Sequence, residues 1–165
     1  MPSATDVVVG ILGSAEAKTQ LVNQVYQEVL HRAVDDAAVP GFVAALQQGL
    51  TQERFEAILA GSDEYLTLHG GTNDGFVNGI YQDFLNRPAE QSTIDNLDRL
   101  LTKRFTREQV ALAVDTSAER YTIEVGRVYQ TFLGRVPDST EVAAWVGPLT
   151  QGLTINGFVT AVASS

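Results

Sequence analysis

The side chains most able to do chemistry are few in this sequence. Among its 165 residues there are two histidines, His31 and His69, no cysteine, and twenty acidic side chains against eleven basic ones. Imidazole and carboxylate together can move protons or hold a metal. His31 and His69 lie far apart in the chain, however, and neither sits in an HExxH, GxSxG or phosphate-binding glycine pattern. His31 occupies a variable position of a repeat and is expected to be exposed. The adjacent acids Asp35/Asp36 and Asp63/Glu64 read as solvated faces, since an acid–base couple needs environments that push its two pKa values apart. Without a thiol there is no disulfide, zinc–thiolate site or cysteine nucleophile. The sequence therefore predicts a protein that is not an enzyme.

Binding chemistry has more to stand on. The one Gly-rich loop, His69-Gly-Gly-Thr-Asn-Asp-Gly75, offers Thr72, Asn73 and Asp74 as oxygen ligands for Ca2+ or as a polar lip for sugar hydroxyls. It lacks the regular acidic spacing and distal Glu of a strong calcium loop, so a solvated connection is the plainer reading. Tyr26, Tyr81 and Tyr129, with Arg32, Arg87 and Arg135, could form a repeated clamp. A structural role fits them better: each Tyr lies on an apolar stripe, and each Arg follows a helix end, with Asp35, Glu90 or Asp138 as its expected partner. Trp145, the single tryptophan, falls on a core position shared with Phe42 and Leu97 and is expected to be buried.

These residues are placed by an internal repeat. Tyr26-Gln-Glu-Val-Leu-His-Arg32, Tyr81-Gln-Asp-Phe-Leu-Asn-Arg87 and Tyr129-Gln-Thr-Phe-Leu-Gly-Arg135 share one pattern, with the arginines spaced 55 and then 48 residues apart. Without gaps the register carries Leu46, Leu101 and Leu149, then Thr51, Thr106 and Thr154, then Phe55, Val110 and Phe158, onto one another. Each copy reads as three short helices. The first has a wide apolar face, Val22, Val25, Tyr26, Val29 and Leu30 in the first copy, at helical spacing. The second opens on a turn, clearest where Asp138 and Glu141 form a capping box. The third opens on the repeated Thr.

The expected fold is all-α: an array of three short three-helix repeats plus one leading helix, with a shared core. The leading helix spans 3–14, repeat one 15–62, repeat two 76–117 and repeat three 118–165, with an insertion loop over 66–75. Residues 3–14 align on the end of repeat one, so the chain reads as a segment of a longer protein. With 44% hydrophobic and 19% charged residues the composition is globular. A net charge of −9 argues against nucleic acid and against anionic membrane surfaces, and no run is long enough to insert into a membrane.

The pattern of an apolar helix ending in Tyr-Gln-Thr-Phe-Leu-Gly-Arg135, the Val136-Pro137-Asp138 turn, Trp145 and Gln151-Gly-Leu-Thr154 resembles the bacterial repeat called domain of unknown function 4214. Repeat two keeps Arg87-Pro88 without the Asp, and repeat one lacks the proline. The rhythm is similar to the helical cell-surface anchoring regions of alphaproteobacterial surface-layer (S-layer) proteins and, more distantly, to phycobilisome linker domains. The resemblance implies a non-catalytic module of a secreted, RTX or surface-layer type protein exported by a type I route. It implies attachment to cell-surface polysaccharide, with calcium assistance, or a scaffold role toward another surface protein.

Overall fold

A computed structural model describes residues 1–165 as eleven helices with no strand. The leading helix is α1 (Ala4–Gly13). Unit one comprises α2 (Ala15–Leu30), α3 (Val39–Gln47) and α4 (Gln52–Ala60), and a short α5 (Asp63–Leu68) follows. Unit two comprises α6 (Asn73–Leu85), α7 (Gln91–Lys103) and α8 (Arg107–Asp115). Unit three comprises α9 (Ala118–Leu133), α10 (Ser139–Thr150) and α11 (Ile155–Ala163).

The starts of these helices are written in hydroxyls. Thr51, Thr106 and Thr154 cap the third helix of each unit, each accepting from the backbone N–H three residues on. Ser14, Ser62 and Ser117 do the same for α2, α5 and α9. Such caps satisfy donors that a helix leaves free, and each is worth about 1 kcal/mol. Asp138 and Glu141 form the expected capping box, as do Thr106 and Gln109. The first helix of each unit stops at a left-handed residue: His31 (φ 54°), Asn86 (φ 55°) and Gly134 (φ 65°). That backbone suits glycine, and among other residues Asn and His tolerate it best.

The region read as an insertion loop over 66–75 needs correction. Leu66–Leu68 finish α5, which Ser62 caps and the fully buried Tyr65 anchors, and Asn73–Gly75 already belong to α6. Only the turn between His69 and Thr72 is non-helical.

The expected shared core resolves into two clusters. Twenty-one buried residues fuse units one and two, centred on α4 packed against α8. Eight more, including Val125, Leu149 and Phe158, form the core of unit three. Where α9 meets α4, α6 and α8 the buried side chains are charged, and this polar layer divides the two clusters. Arg120 donates to Asp115 at 3.0 Å and to Glu56 at 3.4 Å, and pairs with Glu124 at 2.8 Å. All four are less than 5% exposed. The leading helix α1 packs on α11, at the far end of the chain, in the pairing that α4 makes with α8.

The units differ inside. Phe42 and Phe55 stack in unit one with centroids 4.6 Å apart, and Trp145 and Phe158 in unit three at 4.9 Å. Unit two has Leu97 and Val110 there, and an apolar cavity of about 470 Å³ opens beside Tyr81, Leu85 and Phe105.

Candidate functional site

The largest polar concavity lies between units one and three. It has a volume of about 620 Å³ and is formed by α2, the start of α4, the end of α9 and the start of α11. Because α4 and α11 hold the same place in their units, Thr51-Gln52-Glu53 and Thr154-Ile155-Asn156 enter this cleft as matching helix starts. Gln20 and Gln24 line it from α2, one helical turn apart. Phe132, 47% exposed, lines it from α9.

The polar groups of the cleft divide into used and unused. Gln52 donates to Glu56 at 2.7 Å and Gln24 to Glu28 at 3.0 Å. Glu53, 5% exposed, accepts from the Tyr121 hydroxyl at 3.5 Å, while its Oε2 is buried with no partner. A carboxylate oxygen in that position is costly unless a donor reaches it. Burial, and after it the Glu53 carboxylate, push the Tyr121 hydroxyl well above its ordinary value, so it stays a donor throughout the physiological range.

A second constellation lies at the C-terminal end of α2, where sequence spacing gave no hint of it. His31 Nε2 and His69 Nε2 stand 3.4 and 3.5 Å from the two carboxylate oxygens of Asp83. The Tyr65 hydroxyl donates to Asp83 Oδ2 at 2.6 Å and its ring lies 4.3 Å from that of His69. Burial pushes the His69 imidazole below its ordinary value, against the pull of Asp83. His31 is exposed, as expected from its variable position.

The remaining expected site residues have structural placements. Thr72 caps α6, Asn73 donates to Asp98 at 2.8 Å, and the backbone carbonyl of Asp74 accepts from Asn78. The repeated Tyr and Arg are stacked pairs: the guanidinium of Arg32, Arg87 or Arg135 lies 5.1 to 5.3 Å from the ring centre of Tyr26, Tyr81 or Tyr129. Their acidic partners differ from those expected. Arg32 keeps a 3.3 Å contact with Asp35 but pairs through two nitrogens with Glu64, Arg87 pairs with Glu119 rather than Glu90, and Arg135 with Glu141 rather than Asp138. Glu90 and Asp138 instead stand at the starts of α7 and α10, where Asp138 is spent as a cap. Trp145 is half-buried, and its indole N–H donates to the Tyr129 hydroxyl at 3.0 Å.

Residues 56–123 match the family model described as Domain of unknown function (DUF4214). The match covers less than half of the chain and supports a domain of this type there. It runs from within α4 into α9, so it holds Glu56, Asp115 and Arg120 of the charged layer together with His69 and Asp83. No curated protein and no solved structure matches the chain. No helix is long and apolar enough to cross a membrane.

Proposed function

We propose that this chain is a non-catalytic attachment module that holds a polysaccharide in the cleft between units one and three. The observation that carries the reading is the lining of that cleft: the unpartnered Glu53 oxygen, the amides of Gln20 and Asn156, which make no hydrogen bond within the protein, and the exposed Phe132 ring. Sugars present alternating hydroxyls and C–H faces, so they are held by amide and carboxylate groups beside an aromatic surface. The resemblance to surface-layer and RTX-type proteins supports a secreted setting, with the glycan on the cell surface and calcium bridging it where it is anionic.

Co-sedimentation of the purified domain with surface polysaccharide, in calcium and in EDTA, tests this. Saturable binding is expected, and Asn156→Ala with Gln20→Ala should weaken it at least tenfold with unchanged circular dichroism. A domain that stays in the supernatant, or variants that bind like the parent, would overturn the reading.

A second reading is a protein scaffold, favoured by α1. Val7, Val9 and Ile11 on this helix are 47 to 60% exposed, and apolar side chains grouped on one short helix suit a protein partner. Loss of a stable complex on Val9→Asp and Ile11→Asp, with glycan binding intact, would favour it.

A further inference from the structure

We infer that His31, His69 and Asp83 form a binding site for a single divalent transition-metal ion of the zinc type. Two imidazoles and one carboxylate, with a further position open, are an established donor set for Zn2+. The donor atoms of the three residues all lie within 4.8 Å of one another. Each histidine already sits 3.4 to 3.5 Å from an Asp83 oxygen, close to the edge of about 3.3 Å between ligands of a tetrahedral zinc. The third edge, between the imidazoles, closes by movement of His31, whose side chain is 49% exposed.

Four features show that this place is built. His69 comes from the segment between units one and two that has no counterpart before unit three, so the extra chain delivers an imidazole to the α6 face. Gly79 makes room for it: a Cβ there would meet the His69 ring at 2.7 Å, and the matching positions in units one and three carry Gln24 and Arg127. His69 Nε2 is buried and makes no hydrogen bond, which leaves a polar atom aimed at Asp83 without a partner. The Tyr65 hydroxyl, on a fully buried ring, fixes Asp83 Oδ2, as outer-shell donors orient carboxylate ligands in metal sites.

Comparison of the copies points the same way. Asp83 stands where the other units have Glu28 and Thr131, and His31 where they have Asn86 and Gly134. His31 holds a left-handed backbone that glycine would adopt at lower cost. The open side of the site faces a cavity of about 330 Å³ that Glu28, Asn86 and Arg127 also line. Arg127 is balanced there by Glu28 and Glu124, and Arg120 by its three carboxylates.

The test is titration of the metal-free, untagged chain with Co2+, read by its ligand-field absorption, followed by displacement with Zn2+ in a calorimeter. One equivalent should bind, with the strong visible absorption of a low-coordinate cobalt centre, and Zn2+ should displace it while Ca2+ does not. His31→Gly installs the residue that unit three uses at this place, so the fold is kept. It should weaken Zn2+ at least tenfold while the unfolding temperature of the metal-free protein holds or rises. His69→Ala should abolish the cobalt signal, and Tyr65→Phe should weaken binding about tenfold through Asp83. Absence of stoichiometric uptake, or equal affinity in parent and His31→Gly, would overturn the site.

Discussion

Arg32 grips both carboxylate oxygens of Glu64 at 2.5 and 3.0 Å, and Arg87 repeats the grip on Glu119, also 32 residues further on, at 2.7 and 2.9 Å. Each arginine leaves the first helix of its unit, stacks on that helix's tyrosine, and reaches the first turn of the helix that follows the unit. The repeated Tyr and Arg are therefore a joint between successive units. Arg135 instead turns to Glu141 within its own unit.

The joint is testable by charge exchange. Arg87→Glu and Glu119→Arg should each lower the unfolding temperature, and the doubly exchanged protein should recover most of the loss. Recovery identifies the pair interaction; its absence would mean that only the stacking of Arg87 on Tyr81 contributes.

Removing the arginine of the charged layer should do more damage. Arg120→Ala leaves Glu56, Asp115 and Glu124 buried without their cation, and a broken buried pair costs about 3–5 kcal/mol. Urea denaturation checks the figure. Burial already holds the carboxyls of Glu56 and Asp115 above the usual carboxylate range, so the variant's deficit should shrink as the pH is lowered and they take up protons.

The cavity in unit two should accept what its sisters contain. Leu97→Phe combined with Val110→Phe copies the aromatic pair of unit one and should stabilise the protein by about 1 kcal/mol, read as a higher urea midpoint. A lower midpoint would show that the α7–α8 spacing, and not the side-chain volume alone, differs between the units.

Acid should weaken the fold partly through Glu141. The bond to Arg135 pulls its carboxyl down to about 2, whereas the unfolded chain titrates near 4.5. The lowered value means that the stabilisation is complete above pH 4.5 and disappears as the pH falls toward 2. Glu141→Gln keeps an acceptor for the Asp138 N–H without the charge. The unfolding temperatures of the parent and this variant should differ at pH 6 and converge by pH 2.

Much of the fold is legible because its signals are local and repeated. The capping hydroxyls at Thr51, Thr106 and Thr154 and the apolar faces of α2 and α6 are written at helical spacing. What is not legible depends on which units touch. His31, His69 and Asp83 meet only because α5 and its turn fold back onto α6, and no spacing in the chain records that approach. Arg120 occupies the register position of Tyr65, so aligning the copies hides its difference in character. The cleft residues Gln20 and Asn156 are ordinary exposed amides until α2 and α11 are brought side by side.

The pairing of α1 with α11 has a mechanical consequence. It joins the two extremities of the chain, yet α1 contains no buried residue, so the bond is a clasp and not part of either core. Tension applied along the polypeptide would load this clasp before any other contact. The array should yield there first, lengthening by an opened loop while both clusters stay folded, and α1 should be the first helix to exchange its amide hydrogens. A module held from both sides would then give under strain before it unravelled.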